Sequence, residues 1–269
     1  MKNTHVPVML EEVKSYIPLD REINVIDTTF GGGGYSKAIL ENFNVNKLIS
    51  IDRDPISKIF AKEINKKFNN FEFLSGRFGE IDKLINKNRI ENNNKFDVII
   101  FDLGLSSNQV DNPKRGFSFM KNGPLDMSMG LTDKKVSDII NHYSEIDLAN
   151  IIYKYGEERF SRKIAKNIIL SRKIKFIETT KELADIVHHS YNQKNINKSK
   201  INPATKTFQA FRVYLNNELD ELSSALNKCI DLLNVNGKII IVSFQSLEDK
   251  IVKDFFNHNS GKRWRSSRH

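Results

Sequence analysis

Short aliphatic runs along the first hundred residues take turns with segments whose apolar positions recur every three or four residues, the pattern of alternating strands and helices. Val25-Ile26 closes on Asp27, Leu48-Ile49-Ser50-Ile51 closes on Asp52, Phe71 to Leu74 makes a third run, and Phe96 to Phe101 closes on Asp102. The last run is apolar almost without interruption, as in a strand of a parallel sheet covered on both faces. Between these runs lie predicted helices: one after Ser36, one with Asp54 as cap and Pro55 at its first position that presents Ile56, Ile59, Phe60 and Ile64 on one face, and one marked by Ile81, Leu84 and Ile85. The polar stretch Glu91 to Asn94 reads as a turn, and an amphipathic segment ending at Ile17 precedes the first strand. This alternation predicts an α/β fold with a Rossmann-like parallel sheet.

The alternation stops near Ser106. Residues 111–130 are punctuated by Pro113, Gly116, Gly123, Pro124 and Gly130, and only helical spacing follows, over 146–155, 158–172 and 181–189. After a polar linker over 193–203 the pattern resumes with one long helix carrying Phe208, Phe211, Leu215, Leu219, Leu222, Leu226, Ile230 and Leu233, ended by Asn236-Gly237. A strand over 238–244 follows, and Ser246 with Asp249 three residues on predicts a boxed start for a last helix through Phe256. The organisation expected is a discontinuous α/β domain, residues 1–105 and 203–269, with an inserted helical domain over 106–202. Five parallel strands are counted.

Four consecutive glycines, Gly31 to Gly34, join the first strand to the first sheet helix. Such a turn needs φ > 0, and a side chain there would keep a ligand away from the amides at the helix N-terminus. Asp52 follows about 20 residues later, the spacing at which nucleoside-binding folds hold ribose hydroxyls. Ser36 stands where the third glycine of the dinucleotide fingerprint is expected, so that fingerprint is incomplete. Asp27, Asp52 and Asp102 each end a strand, and the carboxyl ends of parallel strands line the ligand crevice.

The chain has 269 residues, a net charge of +9 and an isoelectric point of about 9.4, which favours a polyanionic partner, most simply nucleic acid. Most of the surplus lies in the insertion, where 17 Lys and Arg face 11 Asp and Glu, and Arg159, Arg162, Lys163, Lys166, Arg172 and Lys173 cluster around one helix. That cluster is read either as a solvated face or as a phosphate-contacting one. The single cysteine, Cys229, falls at an apolar helix position and reads as a buried small residue, so no disulfide within the chain is expected. No signal peptide, membrane span or metal-ligand spacing is found, which places the protein in the cytoplasm without a metal. His188 and His189 read as surface residues, and His5 as either a site or a surface residue.

Two cofactor classes suit a glycine turn with an acidic residue after the second strand. A nicotinamide (NAD) dehydrogenase needs a proton-transferring pair near the nicotinamide, and none stands after the fourth strand. A methyltransferase using S-adenosyl-L-methionine needs polar groups there to hold the accepting atom, and Asp102 with Ser106-Ser107-Asn108-Gln109 supplies them. The methyltransferase is favoured; an oxidoreductase and an RNA-binding protein without catalysis are the alternatives.

Eight segments, Asp27-Thr-Thr-Phe-Gly-Gly-Gly-Gly-Tyr-Ser36, Ile51-Asp-Arg-Asp-Pro55, Phe101-Asp-Leu-Gly-Leu-Ser-Ser107, Arg115-Gly-Phe-Ser-Phe119, Gly123-Pro-Leu-Asp-Met127, Tyr155-Gly-Glu-Glu-Arg-Phe160, Pro203-Ala-Thr-Lys-Thr-Phe-Gln209 and Ser243-Phe-Gln-Ser-Leu-Glu-Asp249, resemble in order the bacterial RsmH (MraW) family. The resemblance implies a class I methyltransferase that uses S-adenosyl-L-methionine to modify N4 of a cytidine in the decoding centre of 16S ribosomal RNA (position 1402 type). Its partner would be the small ribosomal subunit, with monomer and homodimer both open. It implies cofactor contacts at Gly33, Gly34, Tyr35, Asp52, Phe78, Asp102 and Gln109, and an inserted domain that grips RNA. The family usually has histidine where Tyr35 and Gln245 stand, often arginine at Ser128, and further strands after the helix ending near Phe256 that close on a basic segment; here a basic end with Arg265-Ser266-Ser267 resembles a remnant of it, so either the far edge of the sheet is abbreviated or the chain is truncated. Asp102 is the first candidate to polarise the cytosine amine, with Ser106, Ser107 and Asp126 next, and Phe117 or Phe119 would either stack on the base or pack their loop.

Overall fold

A computed structural model describes residues 7–87, 95–191 and 202–261. His5, the turn at 91–94, most of the 193–203 linker and the basic end with Arg265-Ser266-Ser267 lie outside the described residues. The chain divides into two compact units, residues 1–106 with 219–269 and residues 107–218. The second boundary thus falls after Glu218, later in the chain than the 202/203 boundary expected from the sequence.

In the first unit, β1 (Ile23–Asp27), β2 (Val45–Asp52), β3 (Phe71–Ser75), β4 (Phe96–Asp102) and β5 (Leu233–Val242) form one sheet in the order β3-β2-β1-β4-β5. All four neighbouring pairs are parallel. The chain winds outward from β1 to β3 and then returns to the far side of β1, so the strand order reverses between β1 and β4. That is the switch point at which ligands bind such sheets. Side chains alternate through the sheet. Val25, Leu48, Val98 and Ile100 pack with α1 (Leu10–Ser15), α2 (Gly34–Asn42) and α3 (Ser57–Asn65), whereas Ile26, Ile49, Ile99 and Phe101 pack with α4 (Ile81–Lys87). Both faces of β4 are therefore buried, which explains its unbroken apolar run.

The second unit holds α5 (Ser107–Asp111), α6 (Val136–His142), α7 (Glu145–Gly156), α8 (Ser161–Arg172), α9 (Thr180–His189) and α10 (Ala204–Asn216). The first two are short and carry no strong period in the sequence. Thr179 and Glu182 close a capping box on α9.

The long helix expected over 204–233 is two helices, α10 and α11 (Glu218–Leu232), broken at Asn217 with φ 53°. Asparagine tolerates that left-handed turn because its short polar side chain compensates locally. The apolar period runs on through the break, which is why spacing alone does not reveal it. Other local differences have equally local causes. β5 begins at Leu233, and Asn236-Gly237 marks an irregularity inside the strand, where Phe96 pairs with Leu233 and Val98 with Lys238. The last helix, α12 (Ser246–Asn259), has Gln245 as its N-cap, and the Ser243 hydroxyl, just before the helix, donates to Asp249. Ile59, expected on the apolar face of α3, is 61% exposed.

Candidate functional site

The site is built at the carboxyl ends of β1, β2 and β4 in the first unit. Gly31 and Gly33 have φ of 53° and 80°, so the turn after β1 uses the left-handed region twice within three residues. A β-carbon on Gly33 would sit 2.8 Å from both Ile64 and the Phe30 ring, and one on Gly34 would sit 2.5 Å from Pro7. These two glycines let the turn lie flat on its own core.

Each of the three acidic strand ends has a different setting. The Asp52 carboxylate accepts the Gly31 N–H at 2.7 Å and the Asp54 N–H at 2.7 Å, which locks the glycine turn to the end of β2. Burial raises its pKa against these hydrogen bonds. Asp27 is fully buried and accepts the Ser36 hydroxyl at 2.6 Å; Ser36 also shares a 2.7 Å hydrogen bond with Ser50. Ser36 thus occupies the fingerprint position with a role of its own, tying α2 to β1 and β2. Burial pushes the Asp27 carboxyl up to about 6 despite the Ser36 and Thr29 hydrogen bonds.

Asp102 differs from both. Its N–H donates to Thr29 Oγ1 at 2.7 Å, which fixes its backbone beside the glycine turn. Its Oδ1 is buried and accepts no hydrogen bond from the described residues. Burial, and then the neighbouring charge of Asp27, push its pKa up to about 7. A buried carboxylate oxygen without a donor is costly, so this one suits a donor or a positive charge brought by a ligand.

Phe78 opens a short 3₁₀ turn (Phe78–Glu80) after β3, and its ring meets Phe101 edge-on with centroids 5.9 Å apart. Tyr35 is 3% exposed, lies in the core, and donates its hydroxyl hydrogen bond to the Val8 carbonyl. The hydroxyl's proton is thus engaged internally, with the ring following α2 into the apolar layer, while its oxygen keeps acceptor capacity. Ser106 is partly buried at the end of the first unit.

The remaining candidates belong to the second unit. Ser107 opens α5, and Gln109 is 6% exposed within it. The Asp126 carboxylate accepts from the Ser128 N–H at 2.9 Å and from the Ser128 hydroxyl, so one oxygen closes a local turn. Phe117 is buried with Arg115 over its ring, and Phe119 packs edge-on against Phe208 at 5.0 Å. Phe117 thus packs within its own loop, and Phe119 packs that loop against α10. Of the basic cluster, Arg162, Lys163, Lys166 and Lys173 are exposed, but Arg172 donates to the carbonyls of Ile140 and Tyr143 at 2.6 and 2.7 Å and is structural.

Sequence reasoning missed Thr29, which anchors Asp102, and Glu221, which lies buried between Arg53 and Arg77. Neither has a spacing signal, since both act on partners distant in the chain. Among the described residues no helix is long and apolar enough to cross a membrane, and no cluster of His, Cys, Asp or Glu would hold a metal.

The family model described as the MraW methylase family matches residues 2–265. A ribosomal RNA small subunit methyltransferase H of Rickettsia bellii (strain OSU 85-389) is 47% identical over 264 residues, 97% of this chain and 83% of that protein. A protein of the same name from Ehrlichia canis (strain Jake) is 48% identical over 255 residues, 94% of this chain and 84% of that protein. The same name is carried by a relative in Orientia tsutsugamushi (strain Boryong), 44% identical over 272 residues, 100% of this chain and 85% of that protein.

Proposed function

The chain belongs to the MraW methylase family, and from that premise we propose that it transfers a methyl group from S-adenosyl-L-methionine to N4 of a cytidine in the decoding centre of 16S ribosomal RNA, acting on the small subunit in the cytoplasm. The observation that carries the reading is the unsatisfied Asp102 oxygen beside two further acidic strand ends and a glycine turn.

The donor set fits this cofactor better than a dinucleotide. Three carboxylates around the turn repel a pyrophosphate and attract a cation, and the third fingerprint position holds a serine engaged with Asp27. When bound, S-adenosyl-L-methionine supplies a methyl group on a positively charged sulfur. Asp52 keeps acceptor capacity beyond its two amides and would take ribose hydroxyls, Phe78 would flank the adenine, and Gly33 and Gly34 would complete the contacts of this unit. Tyr35 supports the turn from the core by holding Val8.

A cytosine amine is a weak nucleophile because its lone pair is delocalised into the ring. Asp102, ionised, accepts a hydrogen bond from the N4 hydrogen, favours pyramidal nitrogen and stabilises the positive charge that grows as the new C–N bond forms. The proton lost from N4 leaves through that hydrogen bond to Asp102 and on to water, and holding the amine in line supplies much of the acceleration. Ser106, Ser107 and Asp126 are the next residues to test as partners of the base. The exposed cations of α8 would neutralise RNA phosphates.

Calorimetry with S-adenosyl-L-methionine and with NAD tests the cofactor: binding of the first alone is expected, and binding of NAD alone overturns the reading. Transfer of labelled methyl to small subunits lacking the mark, compared with naked rRNA, tests the acceptor.

A further inference from the structure

One stripe of α11 grips the turn that carries Phe78. Glu221 Oε1 lies 2.9 Å from Arg53 Nη1 and 3.2 Å from Arg77 Nη1, with Glu221 and Arg53 both under 10% exposed. One turn on, the Ser224 hydroxyl donates to the Gly79 carbonyl at 3.0 Å. One turn further, Lys228 Nζ donates to the same carbonyl at 2.7 Å and pairs with Asp82 at 2.8 Å. The spacing of three and four places all three side chains on one helix face. Gly79 permits the approach, because a β-carbon there would lie 3.1 Å from the Glu221 Cα.

The residues held are neighbours of the two proposed adenosine contacts. Arg53 follows Asp52 at the end of β2, and Arg77 precedes Phe78 at the start of the 3₁₀ turn. A single carboxylate oxygen thus spans the ends of two strands, and Ser224 with Lys228 fixes the carbonyl one residue beyond Phe78. None of the three side chains is exposed, so ordinary surface charge does not explain the stripe.

We infer that Glu221, Ser224 and Lys228 are positioning residues that set the spacing between the ribose-holding Asp52 and the adenine-flanking Phe78, and so determine affinity for the adenosine half of the cofactor. The inference rests on the proposed cofactor reading and assigns this role to a helix that supplies no ligand contact itself. It predicts that loosening the stripe weakens binding without slowing chemistry once the site is filled.

Calorimetry with S-adenosylhomocysteine on the full chain tests it, using Lys228→Met, Ser224→Ala, the double variant, and Lys228→Arg as the conservative control. The double variant is expected to bind about tenfold more weakly, with KM for the methyl donor raised in parallel, kcat at saturation within about twofold of the parent, and the ligand-free melting temperature nearly unchanged. Lys228→Arg should recover most of the affinity. Unchanged affinity in the double variant overturns the inference, as does a fall in kcat with affinity intact or a loss of affinity matched by a collapse of the ligand-free fold. Failure of the parent protein itself to bind S-adenosylhomocysteine overturns the cofactor reading and the inference together, and the parent arm separates that case from the others.

Discussion

Asp102→Asn separates function from stability, and the structure gives the sign of both effects. The carboxyl titrates at about 7 in the fold against 3.8 in an exposed chain, because burial and the charge of Asp27 oppose ionisation. The folded protein therefore holds a proton that the unfolded chain releases, and this contribution to stability is lost as pH rises from about 4 to about 7. Three pH units correspond to a ceiling of about 4 kcal/mol, and solvent relaxation around a partly buried carboxylate reduces the realised cost to about 1–2 kcal/mol. Asparagine cannot ionise, so the variant should melt about 3–6 °C above the parent at pH 8 in the absence of ligand, with a smaller difference at pH 5. Methyl transfer should fall about 10²–10³-fold, the loss typical of removing a preorganised partner for developing charge. Differential scanning calorimetry at the two pH values and a single-turnover methylation assay check both halves. A variant that melts no higher than the parent at pH 8, or that methylates within twofold of it, refutes the reasoning.

The same carboxyl should shape the pH profile, since only its ionised form accepts the N4 hydrogen: kcat/KM, which reports the free protein, should fall about tenfold per pH unit below about 7, and the Asn variant should lose that limb. Gly33→Ala forces a side chain into φ 80° and against Phe30 and Ile64, so it should destabilise the fold by about 1–3 kcal/mol and weaken S-adenosylhomocysteine binding, measured by denaturant melts and calorimetry. Asn217→Ala should lose about 1 kcal/mol by denaturant titration while Asn217→Gly stays near neutral, because the position is left-handed; a gain with alanine would mean that the helix runs through.

Much of the fold can be read from the chain because its signals are local. The strand runs, the glycine turn and the acidic strand ends each declare themselves within a few residues, and the parallel order follows from the alternation. The break at Asn217 is hidden because the apolar period continues across it, so the helix that begins at Ala204 is spent in the helical unit and its continuation in the sheet unit. Tyr35 illustrates a different limit: its place beside the glycine turn is visible, but not that its hydroxyl turns to the Val8 carbonyl. Arg172 likewise looks like part of a basic face until its hydrogen bonds to Ile140 and Tyr143 are seen. Glu221 joins residues 168 and 144 positions away, and no spacing rule reaches that far.

The most direct test of the whole account is nucleoside-resolved mass spectrometry of 16S rRNA from small subunits that lack the modification, after incubation with this protein and isotopically labelled S-adenosyl-L-methionine. Labelled N4-methylcytidine at a single decoding-centre position is the expected result. Label on another atom, at scattered positions or nowhere in that RNA would contradict it.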